Sequence, residues 1–241
     1  MAFTPPPRQK TVLDDPKLKL SSDPLPNGEG RPSFHLYMVG NNPRIDVYTN
    51  LPNDKNRGNI RAPLDVRAMY TILECLKLLC DKPEETGPYI LENKDHIWKD
   101  NQRSKEPVVQ TRLVMGKDKE GRLYISLIAH DPERPKIRFY FGMPYYHQLT
   151  RSNGEKMTDA ELSVWGCRNY IAALTGLYPA VAAAQYEHKT ADKSGPNGGG
   201  GGNAGGGGGY NRQNNSAPAP RPAKAANTYE GGDDWGDDLP M

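Results

Sequence analysis

The chain has 241 residues, a net charge of +2 and only 36% hydrophobic side chains. Gly and Pro together make up 47 of them and gather at the ends: residues 187–241 hold 14 of the 25 glycines and residues 1–32 seven of the 22 prolines, which leaves about 150 residues for one domain with one core. No apolar run reaches the length of a membrane span, MAFTPPPRQK lacks a signal peptide's apolar stretch, and three cysteines without C-x-x-C spacing argue against a disulfide scaffold and a zinc finger, so a cytoplasmic protein is expected.

Residues 1–32 are Pro-rich, mixed in charge and without hydrophobic period, and read as a mobile arm. Alternation starts at Phe34-His35-Leu36-Tyr37-Met38-Val39 and resumes at Ile45-Asp46-Val47-Tyr48, predicting a β-hairpin about Gly40-Asn41-Asn42-Pro43. Asn50 to Pro63 is polar and turn-rich. Leu64 to Cys80 carries Val66, Met69, Ile72, Leu73, Leu76, Leu79 and Cys80 on one stripe, which predicts a helix stopped by Pro83. Tyr89 to Lys105 is ambiguous, with Ile97-Trp98 either a short strand or a packed loop.

Val109, Thr111, Leu113 and Met115 alternate before the turn Gly116–Gly121, and Leu123, Ile125 and Leu127 after it, predicting a second hairpin. Lys136 to Phe141 predicts a further strand. Thr158-Asp159-Ala160-Glu161 has the form of a capping box, opening a helix to about Leu174 with Gly176 as its stop. Five or six strands in hairpins with helices between them do not make a parallel sheet. The expected class is mainly β with helical insertions: an OB-fold, a five-stranded antiparallel Greek-key barrel, with disordered N- and C-terminal segments.

Period 2 puts Ile137, Phe139 and Phe141 on a core face and Lys136, Arg138 and Tyr140 on the other. Cations in register with an aromatic suit single-stranded nucleic acid, because cations track phosphates and flat rings stack unpaired bases; an ordinary charged strand face would read the same way. A symmetric second turn puts Arg112 nearly opposite Tyr124, close enough for a cation–π pair, so that Arg112, Tyr124, Lys136, Arg138 and Tyr140 form one patch that Tyr37 and Tyr48 extend. Tyr70 and Tyr170, inside helices, read as core residues. Met143-Pro144-Tyr145-Tyr146-His147 is either a stacking loop or a hydrophobic plug.

No catalytic constellation emerges. His35, His96, His130, His147 and His188 have no metal spacing, and Cys75 and Cys80, five apart on a helix, read as core. No G-x-S-x-G elbow, Walker loop or dinucleotide loop is present, and Asp54, Asp65, Glu92 and Asp95 show no pairing signal for a nuclease. No enzyme activity, metal or cofactor is expected.

Gly195 to about Thr228 is Gly, Asn, Pro and Ala with scattered Arg, Lys and Tyr, a composition that builds no core and reads as a tether. The last twelve residues carry Glu230, Asp233, Asp234, Asp237 and Asp238 and no base, a side-chain charge of −5 that leaves +7 on the rest of a chain whose total is +2. Trp235 and the ending Leu239-Pro240-Met241 suit a peptide whose apolar end enters a partner's pocket while its carboxylates meet basic residues on the rim.

A Gly-rich linker followed by Asp-Asp-apolar-Pro-apolar resembles the C-terminal tail of bacterial and bacteriophage single-stranded DNA-binding proteins. The family usually closes on Ile-Pro-Phe or another terminal Phe; this chain closes on Leu239-Pro240-Met241. The body is similar to a phage-type member with an OB-fold interrupted by a long helix. The resemblance implies non-catalytic, cooperative coating of single-stranded DNA in replication, recombination and repair. It also implies recruitment of polymerase, helicase-primase or nuclease through the tail, possible self-association, and the host cytoplasm as location if the protein is phage-encoded. The expected organisation is an arm at 1–32, a binding domain at 33–186, a linker at 187–229 and an interaction tail at 230–241. Two other readings stand beside it: an RNA-binding protein with a Gly-rich tail, and a structural or adaptor protein whose tail is the functional element.

Overall fold

The computed structural model describes residues 10–99, 102–144 and 146–186. The linker and tail, with Asp233, Asp234, Trp235, Asp237, Asp238, Leu239, Pro240 and Met241, lie outside the described residues, as do residues 1–9 of the arm, Tyr145 and His188.

The fold of the described residues is mainly β, with two four-stranded antiparallel sheets and two α-helices. The strands are β1 (Leu20–Ser21), β2 (Ser33–Val39), β3 (Asn42–Tyr48), β4 (Asn59–Pro63), β5 (Tyr89–Asp95), β6 (Trp98–Lys99), β7 (Gln102–Arg103), β8 (Val108–Lys117), β9 (Leu123–Ala129) and β10 (Phe139–Tyr140). Helix α1 (Val66–Asp81) lies between β4 and β5, and α2 (Asp159–Ala184) follows β10. Sheet one runs β1-β2-β3-β4, sheet two runs β10-β9-β8-β5, and β6 and β7 form a separate ribbon. Strand β1 comes close to β10, and β4 to β9, so both edge strands of sheet one lie near the β9–β10 side of sheet two.

The inward rows of both sheets and one side of each helix fill a single core. Phe34, Ile45, Val47 and Ala62 of sheet one, Leu113 of β8, Met69, Leu76 and Leu79 of α1, and Cys167 of α2 are each fully buried. Phe34 and Phe139 bring the sheets together, their ring centroids 5.7 Å apart. The predicted alternation of Ile137, Phe139 and Phe141 is this inward row, although only Phe139 and Tyr140 join the ladder.

The first hairpin forms about a tighter turn than expected. Gly40 takes the positive φ of 56° that a two-residue turn needs, and Asn42 and Pro43 already belong to β3. Helix α1 starts at Val66 because the Asp65 side chain accepts from the Ala68 N–H at 2.6 Å, an N-cap in place of the expected Leu64 start.

Four expectations change. Residues 10–32 are not a mobile arm: Leu13 is fully buried, Thr11 and Asp14 close a capping box on its turn, and β1 pairs with β2. Asn59–Pro63 is a strand, since Ile60 and Ala62 alternate into the core. Tyr89–Asp95 is also a strand, beside β8. Helix α2 continues through Gly176 and Pro179 to Ala184, because Tyr178 and Val181 bury on the same side as Leu174; that burial outweighs about 4 kcal/mol of intrinsic Gly and Pro cost. Tyr170 is buried as expected, but Tyr70 is 40% exposed, meeting Tyr178 edge-on with centroids 6.0 Å apart. Cys80 and Cys167 are buried and Cys75 partly so.

Candidate nucleic-acid interface

Strand β9 pairs with β8 so that Gly116 faces Tyr124 and Arg112 faces Ile128. The turn is Asp118 to Arg122, held by the Asp118 carboxylate, which accepts from the N–H groups of Glu120 and Arg122 at 2.9 Å each. The expected pairing of Arg112 with Tyr124 is therefore incorrect by four residues. Four is an even number, so both side chains keep the same face, but they stand about 13 Å apart along the strands. Arg112 is instead held across β5 by Glu92, 3.0 Å from its Nε.

Arg138 takes the place expected for Arg112: its guanidinium lies over the Tyr124 ring, 4.9 Å from the centroid. Tyr140 is the direct cross-strand neighbour of Tyr124, and the two rings meet edge to face at 6.2 Å. Arg122, which the sequence reading passed over, lies over the Tyr140 ring at 4.5 Å. The outer face of sheet two thus carries a row in the order Arg138, Tyr124, Tyr140, Arg122. Lys136, exposed, follows the same parity two residues before Arg138.

The row is built from beneath. A Cβ on Gly116 would meet the Thr86 carbonyl at 3.1 Å and the Tyr124 hydroxyl at 3.3 Å, so the bare backbone there makes room for the Tyr124 side chain. Tyr124 is only 8% exposed; burial pushes its phenol up, against the nearby Arg138 charge that pulls it down. Its ring serves as the seat for Arg138, while Tyr140 keeps more of its surface open. Arg122 is fixed by Asp118 at 2.8 Å and Glu120 at 3.2 Å. Burial raises the Asp118 carboxyl, but the N–H and guanidinium of Arg122 outweigh it and hold the group below the usual carboxylate range.

Tyr37 and Tyr48 do not join this row. They lie on the outer face of sheet one around Asp46, which is 1% exposed. Asp46 accepts from the Tyr37 hydroxyl at 2.8 Å, from Arg61 Nε at 2.8 Å and Nη2 at 3.0 Å, and more weakly from Tyr48 and Asn59, both at 3.4 Å. Burial raises the Asp46 carboxyl, and these donors together bring it below its ordinary value. Tyr37 is 6% exposed with His35 stacked on its ring at 4.8 Å, so it supports this cluster, while Tyr48 leaves 37% of its surface open. A strand position such as Asp46, polar between Ile45 and Val47 and flanked by Arg44 and Tyr48, is the signal that marks such a hub.

A second ionic centre joins the turns at one end of the domain. Arg134 grips Asp54 through Nε and Nη2 at 2.9 and 2.8 Å and donates to the Asn59 and Lys55 carbonyls at 3.0 and 3.1 Å. Both side chains are about 95% buried. This engages Asp54 structurally. Asp65 serves as the α1 cap and Glu92 pairs with Lys94 and Arg112. Among the described residues no three His, Cys, Asp or Glu gather as a metal site, and no helix is long and apolar enough to cross a membrane. Of the Met143–His147 segment, Tyr146 is 65% exposed and meets His147 edge-on at 4.6 Å.

No family model, no curated protein and no solved structure matches the chain.

Proposed function

We propose that this protein binds single-stranded DNA without sequence preference, on the outer face of sheet two. The observation that carries the reading is the row Arg138–Tyr124–Tyr140–Arg122, two rings between two cations, with Lys136 beside it. Such a row offers cations for phosphates and a partly open ring for an unpaired base. Arg112 extends the face at its far end, and Tyr48 with Arg61 offers a second aromatic-basic spot on sheet one. The two meeting sheets fit a single Greek-key barrel of the OB type, the fold in which such a face recurs. On this reading the protein coats and protects single strands in the cytoplasm during replication, recombination and repair, without catalysis, and the segment Glu230–Met241 recruits partner proteins.

The test is a titration of the full chain with dT oligomers, the matching RNA and duplex DNA over a salt series. Single strands are expected to bind far better than duplex, with a log–log salt slope of about −0.7 per phosphate neutralised. Tyr140→Ala should lose roughly 1–3 kcal/mol of affinity, and Arg138→Ala should flatten the slope by about one phosphate contact. Equal affinity for duplex, or salt-insensitive binding, refutes the reading; preference for RNA turns it toward an RNA-binding protein.

A further inference from the structure

Three turns converge beside the Arg134–Asp54 pair and border an open cleft of about 390 Å³. Each turn contributes one proline to its walls: Pro26, Pro52 and Pro135, with Leu51 beside them. These four apolar residues share the lining with six polar or charged ones, a mixture that offers a ligand both apolar surface and hydrogen-bonding groups. The pyrrolidine rings have no rotamer freedom to lose on binding, so that part of the wall costs little to order. Its frame is stiff as well, because Arg134 ties Asp54, Lys55 and Asn59 together from below.

We infer that this cleft seats one unstacked nucleobase, and that it favours a base bearing an exocyclic amino group. The inference rests on the single-strand reading above and modifies it at one point: the track along sheet two stays indifferent to sequence, and the cleft adds a second, distinct contact that is not. Flatness comes first: the proline and leucine faces pack well on an aromatic heterocycle. Position comes next. Pro135 directly precedes Lys136, the first cation of the proposed track, so a strand lying along Lys136, Arg138 and Tyr140 passes the mouth of the cleft.

Charge decides what enters. Lys55 pairs with Asp131 and Arg134 with Asp54, which leaves the rim carboxylate of Glu133 as the local excess. An anionic phosphate is disfavoured there and stays outside with Lys136. A neutral base is accepted, and Glu133 is an acceptor for an amino N–H, the pairing that carboxylates make with cytosine N4. Asn27 and Asn53, also on the rim, hold amides that can meet the remaining edge of the base. Thymine, with no exocyclic amino group, leaves the Glu133 carboxylate without a partner.

The experiment measures anisotropy of labelled dT, dC and N4,N4-dimethyl-dC homo-oligomers of equal length against the full chain and two variants. Glu133→Ala removes the acceptor from an exposed position, and Asn53→Trp fills the cleft with the protein's own ring; thermal melts confirm that each is folded. Wild type should bind dC at least about fivefold tighter than dT, the low end for one specific base contact, and the dimethylated oligomer should lose that gain. Glu133→Ala strengthens every oligomer through its lost charge, so the dC/dT ratio is the readout, and in both variants it should fall to about one. A wild-type ratio of one, a dimethylated oligomer that binds like dC, or a ratio unchanged in both variants overturns the cleft while leaving the single-strand reading in place. Absence of binding to every oligomer overturns both.

Discussion

Replacing Arg134 by methionine removes one of the most heavily bonded side chains of the domain. Its guanidinium makes four hydrogen bonds, two to Asp54 and one each to the Asn59 and Lys55 carbonyls, and both ionic partners are almost wholly out of water. Methionine fills much of the volume but leaves the Asp54 carboxylate with Thr49 at 2.8 Å as its remaining side-chain donor. A buried charge stripped of its partner costs about 3–5 kcal/mol. For a domain of this size that lowers the melting temperature by roughly 6–20 °C. Asp54→Leu alone should cost a similar amount, since Arg134 is then the orphan. The double variant Asp54→Leu/Arg134→Met should recover much of the loss, because two apolar side chains replace two paired ions. Urea unfolding followed by circular dichroism gives all three values and the coupling between them. A single Arg134→Met variant within about 1 kcal/mol of wild type, or a double variant showing the sum of the single losses, would refute the reasoning.

Gly166 of α2 lies against the backbone of Gly142, where an added Cβ would stand 2.6 Å from the Gly142 nitrogen. Gly166→Ala should therefore destabilise the protein by about 1–3 kcal/mol, although alanine is the better helix former; a stabilised variant in the same urea assay would show the helix free to move away. Burial, the Asp46 hydrogen bond and the Asp46 charge push the Tyr37 phenol up to about 12 from its ordinary 10.0. A raised acid is stabilising while protonated, so its contribution is complete below pH 10 and disappears as pH rises to about 12. Tyr37→Phe should flatten that alkaline part of the stability–pH curve, and an identical curve would deny the coupling. Thr158→Ala should cost about 1 kcal/mol through loss of the capping box on α2 and leave DNA affinity unchanged.

The elements with strong internal period were legible from the chain: the two hairpins, α1, and the start of α2 at its Thr158–Glu161 box. What lies between them was decided by contacts distant in sequence. Asn59–Pro63 has only two inward side chains, too few to announce a strand until β3 is beside it. Helix α2 passes Gly176 and Pro179 because Tyr178 and Val181 have a core to enter, which no local propensity reports. The outward parity of Lys136, Arg138 and Tyr140 was readable, yet the cation over Tyr124 was misidentified. Register depends on where a loop closes, and the Asp118 carboxylate closes it two residues later than the glycines suggest. The Asp54–Arg134 pair joins positions 80 residues apart, a separation at which one sequence shows no trace of pairing.

The turn carrying Leu13 packs against α2, which begins at Asp159. A ribosome adding 5–20 residues per second needs roughly 7–30 s to make the chain between them. For that interval Leu13 has no helix to meet, and the sheets stand with one side of their core open. The nascent chain is thus most exposed to proteases and to self-association just before α2 is made. Residues 187–241, made after it, give α2 time to clear the ribosome and dock while the chain is still attached. A message ending just after α2 removes that interval, so its product should depend more on chaperones than the full-length chain, a difference visible in soluble yield.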